Sequence, residues 1–383
     1  MQFDRRRLLQ FGIAGSALAV ISPLLLARAP GDRRFIFIIQ RGALDGLQAV
    51  PATGDPQFAA ARGVLGEVPK LRPLDATFGL HPALAQIGGL YAAREALFVH
   101  AIASPYRDRS HFDGQNVLES GGVEPYRLSE GWMNRLVGLL SGKSAIAFAS
   151  TLPLALQGRQ TVSSFEPKPA GRPDEALMAE VGALYQDDAL LHPLWEEALD
   201  ARRLAAQIDQ GAPLRSPAER TARIAAGFLA QPDGPRLAMI ETNGWDTHTQ
   251  QLGRLAAQFS ELDLLVAGLK AGLGPVWKET LVIAATEFGR TVSINGTGGT
   301  DHGTGSVAML FGGALHGGRV VADWPGLAPA QRLDGRDLRP TASLDAMLSG
   351  ALGEHFGVDP DRVATSLFPD GPSGAPMRGL VTA

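Results

Sequence analysis

The feature that most constrains the fold is a set of six short apolar runs, spaced along the chain and separated by helical patterns. The runs cover residues 34–39, 96–102, 145–149, 236–241, 281–285 and 307–311. Each run has the length and the apolar character of a buried strand. Strands that alternate with helices predict an α/β fold with a mainly parallel sheet.

Polar groups follow four of these runs at the point where the strand would end. In chain order they are Asp45, Ser110, Asp246 with His248, and Glu287. Parallel sheets bind their ligands at the carboxyl ends of the strands, so these sequence-distant groups are expected to share one edge of one sheet. This shared placement indicates a functional site more strongly than any single motif does.

The densest group of candidate residues follows the fifth run. Glu287 and Arg290 come directly after the strand, and a glycine-rich loop then presents Asp301 and His302. A carboxylate at a strand end and an Asp-His pair on a flexible loop suit a metal site or an acid–base site. The Asp-x-His segment at 246–248 offers the same donor types and could bind one ion, although so short a spacing also arises by chance.

Two other residues have ordinary structural interpretations. Asp45 lies in a glycine-containing loop, where an isolated aspartate commonly caps a turn or a helix. His100 lies within an apolar run, so we predict a core histidine there and not a ligand. For Asp45 the structural and the functional interpretations both stay open.

Ser110 also allows two interpretations. Together with Asp113 it has the spacing of a helix capping box. A serine at a helix N-terminus, beside Arg109 and His111, is equally the place where an anionic ester would be held. The sequence does not decide between a helix cap and a nucleophile.

Composition excludes several classes of function. The 383 residues contain no cysteine, so disulfides, thiolate metal sites and a cysteine nucleophile are excluded. The net charge of -4 gives no reason to expect nucleic acid as a partner.

The first residues resemble a twin-arginine export signal. Three arginines at 5–7 precede an apolar run at 11–26, which ends in Ala27-Arg28-Ala29. This pattern predicts a signal peptide at 1–29, recognised by the twin-arginine export machinery, and one domain at 30–383 that is periplasmic or secreted. The alternative is an uncleaved membrane anchor, but the run is short for a span and contains Pro23, so we expect no stable membrane span in the mature chain.

Five ordered segments resemble the DUF1501 family. They lie at 41–47, 109–115, 244–250, 286–291 and 299–305. That family consists of exported bacterial proteins of undefined function in the alkaline phosphatase-like superfamily, together with sulfatases and phosphoglycerate mutases. The resemblance implies an alkaline phosphatase-like α/β fold, with a central, mainly parallel sheet and helices on both faces. It also implies a divalent-metal site at the strand ends, for which zinc, manganese and calcium are candidates.

The resemblance also implies roles for single residues. Ser110 matches the position of the nucleophile. The metal ligands that it implies are Asp45, Asp246, His248, Glu287 and His302. Asp301, directly before His302, is a further candidate ligand. Glu287-Phe288 stands where the superfamily usually has Asp-His, so one histidine ligand is missing.

Two functions are compatible with this pattern. The first is an exported metal-dependent hydrolase of small anionic substrates, phosphate or sulfate esters. Arg41, Arg109 or Arg290 would neutralise charge on the anion, and His111 would be the general acid for the leaving group. The second is a non-catalytic metal- or ligand-binding protein of the cell envelope on the same fold, which the missing histidine favours.

Overall fold

The computed structural model describes residues 33–68, 70–141, 144–167, 175–210, 214, 216–371 and 374–382. The predicted signal peptide at 1–29 therefore lies outside the described residues. Within these ranges, every helix is too short or too polar to cross a membrane.

A nine-stranded sheet forms the centre of the molecule, and a two-stranded sheet lies apart from it. The strands are β1 (Arg34–Gln40), β2 (Arg72–Pro73), β3 (Gly79–Leu80), β4 (Ala96–Ala103), β5 (Ala145–Phe148), β6 (Ser163–Ser164), β7 (Leu237–Thr242), β8 (Thr280–Ala285), β9 (Ser306–Phe311), β10 (Arg319–Val321) and β11 (Ala342–Ser343). The strand order in the large sheet is β10-β4-β9-β8-β1-β7-β5-β6, and β11 pairs with the end of β4. Pairing is parallel except for β9, which is antiparallel to β4 and β8.

The described α-helices cover both faces of this sheet. They are α1 (Gly46–Ala49), α2 (Phe58–Arg62), α3 (Ala85–Ala92), α4 (His111–Ser120), α5 (Trp132–Leu139), α6 (Glu175–Tyr185), α7 (Leu191–Ile208), α8 (Pro217–Leu229), α9 (Gln251–Leu273), α10 (Leu344–Phe356) and α11 (Pro360–Leu367). Short 3-10 segments lie at Gly63–Gly66, Leu154–Leu156, Gly274–Glu279 and Pro329–Gln331.

The alternation of side chains along β1 explains the two helical layers. Ile36 and Ile38 pack in one apolar cluster with α3, α8 and α9. Phe35, Phe37 and Ile39 pack in a second cluster with α5, α10 and α11. Because successive strand residues point to opposite faces, a strand that is apolar at every position is covered on both sides. The predicted α/β class, with a mainly parallel sheet and helices on both faces, is confirmed.

Element boundaries agree closely for the strands and less well for the surface segments. All six predicted strands are present within one residue at each end. Residues 51–80 are rich in proline and glycine and lack periodicity, which predicts a surface loop. The described part of this segment instead contains α2, a 3-10 turn and the β2–β3 hairpin, all too short to show a periodic pattern. The sequence of residues 173–208, rich in Ala, Leu, Glu and Arg, predicts a mainly helical segment. The described part of it is divided into α6 and α7, because the Asp188 carboxylate accepts the backbone N–H groups of Leu190 and Leu191 and starts a new helix.

The topology brings the candidate loops to one edge of the sheet. The carboxyl ends of the parallel strands β1, β4, β7 and β8 lie at this edge and lead into the loops that carry the candidate residues. Since β9 is antiparallel to β8, the connection at 286–305 leaves and re-enters the sheet at the same edge.

Candidate metal centre

Three side chains from different loops place ligand atoms within 4.8 Å of one another: His111, Asp246 and His302. His111 is the first residue of α4, Asp246 follows β7, and His302 precedes β9. The His302 Nε2 atom lies 3.3 Å from Asp246 Oδ1, and the His111 Nε2 atom lies 3.5 Å from Asp246 Oδ2. The carboxylate of Asp246 is therefore at the centre of the group.

His248 joins the same group. Its Nε2 atom is 3.0 Å from Asp246 Oδ1 and 2.9 Å from His302 Nε2. About two-fifths of the side chains of Asp246 and His248 is exposed (42% and 41%), so the group opens to solvent. The term metal centre is used below for this candidate site, which consists of His111, Asp246, His248 and His302.

Each imidazole of the metal centre is held through its Nδ1 atom by an oxygen acceptor. His111 Nδ1 is 2.8 Å from Glu287 Oε1, and His302 Nδ1 is 2.9 Å from the backbone carbonyl of Arg109. His248 Nδ1 is 3.3 Å from Asp301 Oδ1. Because these oxygens can only accept, Nδ1 carries the hydrogen in each neutral ring, and the Nε2 lone pair faces the other rings.

This arrangement fits a shared divalent cation. His111 Nε2 is buried and has no hydrogen-bond partner among the described residues. The bare Nε2 atoms of His248 and His302 face each other at 2.9 Å, which is unfavourable unless a proton or a cation lies between them. Neutral imidazole nitrogens with an oxygen behind Nδ1 are the usual ligands of Zn²⁺ and similar ions.

The glycine-rich loop reaches this position because its glycines lack side chains. A Cβ atom at Gly299 would lie 2.3 Å from the backbone of His248, and one at Gly303 would lie 2.3 Å from the backbone of Arg290. Arg290 and His302 also form an antiparallel bridge. The loop thus folds back on the residues that follow β7 and β8, and this close approach brings His302 to Asp246.

Buried partners set the charges of the two central carboxylates. Burial alone would raise the pKa of Asp246, but the buried guanidinium of Arg290, with Nη1 2.5 Å from Asp246 Oδ1, holds that pKa below its ordinary value. Burial would also raise the pKa of Glu287, but hydrogen bonds from His111, Gln115 and the Gly42 N–H keep it below its ordinary value. Both groups are therefore anionic at neutral pH.

The pKa values of the histidines move in opposite directions. The hydrogen bond to Glu287 raises the pKa of His111. Burial lowers the pKa of His302, against the opposing effect of the Arg109 carbonyl. The Asn295 amide lowers the pKa of Asp301, which supports the anionic partner of His248. With the histidines neutral, the carboxylates of Asp246, Glu287 and Asp301 exceed the guanidinium groups of Arg290 and Arg336 by one negative charge, which suits a divalent cation.

Asp45 does not reach the metal centre. Its Oδ1 atom accepts the Gln48 N–H at the start of α1, at 3.1 Å. Its Oδ2 atom forms a buried ion pair with Arg62 at 2.6 Å and accepts from Gln251 at 2.7 Å. The helix-cap interpretation is the one that the structure supports, and this corrects the prediction of Asp45 as a metal ligand.

Glu287 and His111 both lie at positions that differ from their predicted roles. Glu287, predicted as a ligand, lies fully buried behind His111 and accepts hydrogen bonds from the His111 ring, the Gly42 N–H and the Gln115 amide. His111, predicted as a general acid, lies in the ligand group. The carboxylate therefore orients the imidazole, an arrangement common in metal sites.

Ser110 stands at the N-cap position of α4, but its hydroxyl makes no capping hydrogen bond. Its backbone N–H donates to the Tyr106 hydroxyl at 3.1 Å, and the Asp113 carboxylate accepts from that hydroxyl at 3.4 Å. The capping-box interpretation is wrong, because Tyr106 inserts between the two residues that would form it.

The three arginines predicted to neutralise an anion are already paired, and Arg41 forms ion pairs with Glu119 and Glu241. Arg290 binds Asp246, and the Arg109 guanidinium binds the buried Asp337, with Nε 2.9 Å from Oδ2. Arg109 also has a left-handed backbone (φ 63°), and its carbonyl accepts from His302. Its contribution to the site is therefore a backbone oxygen.

Sequence reasoning missed two residues that orient the site. Asn295 donates to Asp301 Oδ1 at 3.1 Å and to the His248 carbonyl at 3.0 Å. Asp337 fixes Arg109 from a distant loop and also accepts from Thr304 at 2.8 Å. The Asn-Gly pair at 295–296 is an ordinary turn signal, and nothing in the local sequence of Asp337 marks it.

Comparison with known proteins gives one family match. A family model described as "Protein of unknown function (DUF1501)" matches residues 97–363. The match includes all four residues of the metal centre and begins after Asp45. A search of curated proteins finds no match.

Several solved structures are similar at low identity. One is the C-terminal periplasmic domain of EcEptC from Escherichia coli in complex with Zn, with 8% identity, a TM-score of 0.38, and coverage of 75% of this chain and 74% of that one. The phosphonate monoester hydrolase of Agrobacterium radiobacter has 11% identity, a TM-score of 0.34, and coverage of 90% and 79%. A 2-O GAG sulfatase has 11% identity, a TM-score of 0.33, and coverage of 90% and 76%. Because these TM-scores are low, we draw no inference from the likenesses.

Proposed function

The chain belongs to the DUF1501 family, and from this premise we propose that it is an exported, divalent-metal-dependent hydrolase of phosphate or sulfate esters. One observation supports the proposal above all others. Three imidazole Nε2 atoms face a common carboxylate, while an oxygen acceptor holds the opposite nitrogen of each ring. Such a donor set favours zinc over manganese and calcium, which prefer ligand shells made mainly of oxygen.

The residues of the metal centre would hold the cation, and Glu287, Asp301 and the Arg109 carbonyl would orient the rings. A divalent cation bound there would supply a Lewis acid that polarises an ester oxygen and lowers the pKa of a nearby hydroxyl. Its position at the solvent-exposed side of Asp246 and His248 would let an ester approach from outside.

Two roles in the reaction follow from the same geometry. Ser110 directly precedes His111, and its side chain lies beside the Tyr106 hydroxyl without capping α4, so Ser110 would be the nucleophile, with water as the alternative. His111 has one open nitrogen, Nε2, which could bind the cation when the ring is neutral or donate a proton to the leaving group when the ring is protonated. Substituting Ser110→Ala distinguishes the nucleophiles, because activity that survives the change assigns the attack to water.

The first test of the proposal is metal content together with turnover. Protein purified without chelator would be analysed for metal, and then assayed on an aryl phosphate and an aryl sulfate with added zinc or manganese. We expect near-stoichiometric metal in the wild type and its loss in Asp246→Ala and His302→Ala. His316→Ala is the matched control, because this exposed histidine contacts the Gly379 carbonyl away from the site. A wild type that cannot be loaded with metal would remove the proposal.

A second candidate function is a non-catalytic metal-binding protein of the cell envelope. The observation that favours it is the pairing of the nearby guanidinium groups. Arg41 binds Glu119 and Glu241, Arg109 binds Asp337, and Arg290 binds Asp246. Paired arginines leave less positive charge for an anionic ester than the hydrolase would use. Stoichiometric metal without turnover of either aryl ester would support this candidate.

Export is the remaining part of the proposal. The twin-arginine pattern before residue 29 would direct the folded chain, with its cation bound, to the periplasm or the medium. Replacing Arg5 and Arg6 by lysine should retain the protein in the cytoplasmic fraction. Unchanged fractionation of that variant would contradict export by this route.

A further inference from the structure

We propose that a buried polar relay positions Asp246 in the metal centre, starting from the Asp45–Arg62 ion pair and passing through Gln251, Thr300 and Arg290. The inference deepens the proposed function and rests on it for the role of Asp246 as a ligand. The relay itself consists of contacts within the chain, so it can also be tested without metal.

The relay begins at the carboxylate of Asp45. Asp45 Oδ2 accepts from Arg62 Nη2 at 2.6 Å and from Gln251 Nε2 at 2.7 Å. An ionised carboxylate has no hydrogen to donate, so the amide nitrogen of Gln251 must face it. The charge of Asp45 therefore fixes which way the Gln251 amide is turned, and it directs Oε1 away from the ion pair.

The next step is at the hydroxyl of Thr300. Gln251 Oε1 accepts from Thr300 Oγ1 at 2.6 Å and from Thr247 Oγ1 at 3.0 Å. A hydroxyl has a single hydrogen, so Thr300 uses it on Gln251 and presents a lone pair to Arg290 Nε, which lies 3.1 Å away. The Thr300 carbonyl also accepts from Arg290 Nη2.

The last step is from Arg290 to Asp246. With Nε and Nη2 both held by Thr300, the remaining nitrogen Nη1 meets Asp246 Oδ1 at 2.5 Å. This contact turns Oδ1 toward His248 and His302 and leaves Oδ2 toward His111. The relay thus determines the orientation in which the carboxylate faces the histidines.

Burial makes each link costly to replace. Five residues of the relay are at most 2% exposed: Asp45, Arg62, Gln251, Arg290 and Thr300. Water has little access to a polar atom whose partner is removed, so the loss is not made good by solvent. Shells of this kind behind metal ligands commonly tune metal affinity, and they make Gln251 and Thr300 positioning residues and not ligands.

Paired threonine variants test the relay. Thr300→Val removes the hydroxyl at constant shape, and Thr300→Ser restores it. Thr247→Val is the matched control, because Thr247 is also fully buried and bonds the same Gln251 oxygen, but lies outside the path to Arg290. In competition titrations with Zn²⁺ and a chromophoric chelator, we expect Thr300→Val to bind about tenfold more weakly, and the other two variants to stay within about threefold of wild type. Equal losses in Thr247→Val and Thr300→Val would overturn the inference, as would unchanged affinity in Thr300→Val.

A metal-free measurement separates this inference from the proposed function. The Arg290 Nε–H resonance, assigned by its absence in Arg290→Lys, should exchange slowly with solvent in the wild type and faster in Thr300→Val. Thr300→Ala serves the same purpose should the valine variant not fold. A wild type that binds no zinc but shows this pattern would refute the metal site and retain the relay contacts, whereas rapid exchange in the folded wild type would overturn the relay.

Discussion

Two groups of histidines in this molecule use their ring nitrogens in opposite ways. In the metal centre, Nδ1 is held by an oxygen acceptor and Nε2 faces the other ligands. The second group is buried away from the metal centre. In strand β4, His100 Nδ1 accepts the Ala101 N–H at 2.8 Å, and Nε2 donates to the Val50 carbonyl at 2.9 Å. His81 Nδ1 likewise accepts a backbone N–H, from Ala83 at 3.2 Å.

The partner of Nδ1 decides whether Nε2 can bind a cation, because an oxygen acceptor keeps the hydrogen on Nδ1 and leaves the Nε2 lone pair free. His100 lies within a strand, where backbone groups satisfy both of its nitrogens. His111 lies at a helix start and His302 in a loop. In each, an oxygen accepts a hydrogen bond from Nδ1, and Nε2 is left without a hydrogen. The prediction of His100 as a core residue is confirmed on this ground.

The largest effect that follows is on the pH dependence of folding. Burial lowers the pKa of His100 from 6.5 to about 4. Between pH 6.5 and 4, His100 therefore binds a proton in the unfolded chain but not in the folded chain, so stability falls as the pH drops through this range. At about 1.4 kcal/mol per pH unit, His100 accounts for roughly 3 kcal/mol of that loss. Urea unfolding of the metal-free protein at several pH values should show that His100→Gln loses this much less on acidification than the wild type does.

His111 should change the pH dependence of stability in the direction opposite to His100. The pKa of His111 is raised by Glu287, so its contribution to stability is complete below pH 6.5 and disappears as the pH rises through the folded-state value. His111→Gln should therefore remove a stabilisation at low pH, where His100→Gln removes a destabilisation. If both variants shifted the curve in the same direction, the hydrogen bond to Glu287 would not be what raises the pKa of His111.

A smaller effect is expected behind the ring of His111. Glu287→Gln keeps the shape of the side chain but replaces a charged acceptor by an amide, so zinc affinity should fall about 10- to 100-fold. Glu119→Gln is the matched control, since Glu119 is a buried carboxylate that pairs with Arg41 and accepts the Ala155 N–H. Calorimetric zinc titration should show a loss of affinity only in Glu287→Gln, while both variants lose stability. Equal zinc affinity in the two variants would deny Glu287 its role behind the metal centre.

The fold was largely predictable from sequence because its central strands are buried on both faces. Such strands appear as continuous apolar runs, and the alternating helices then require a parallel sheet. The antiparallel direction of β9 was not foreseen, since a strand's direction depends on the path of its connection and not on its own residues. The division of α6 from α7 depends on one aspartate, Asp188, and the spacing of apolar residues along a helix does not predict such a break.

The site was predictable as a set of loops but not as a set of contacts. Residue spacing placed Asp45 and Asp246 at the same sheet edge, yet the partners of each come from elsewhere in the chain. Arg62, on α2, draws Asp45 into an ion pair, and the glycine-rich loop brings His302 to Asp246. The placement of His111 beside Asp246, with Glu287 behind it, depends on side-chain reach across two loops, which local sequence does not specify.

The smallest expected effect uses two phenylalanines that stack on the two kinds of histidine. Phe288 lies on His111 with ring centroids 5.0 Å apart and an interplanar angle of 24°, and Phe78 lies on His100 at 5.0 Å and 22°. Replacing either ring by leucine keeps an apolar contact but loses the stacking, worth about 1 kcal/mol of unfolding free energy. Both variants should therefore lose stability to a similar extent in urea titrations. Only Phe288→Leu should change zinc affinity, and by less than the loss in Glu287→Gln, because the Nδ1 contact that orients His111 remains. A change of zinc affinity in Phe78→Leu would show that the packing of His100 affects the metal centre. The two groups of histidines would then not be independent in zinc binding.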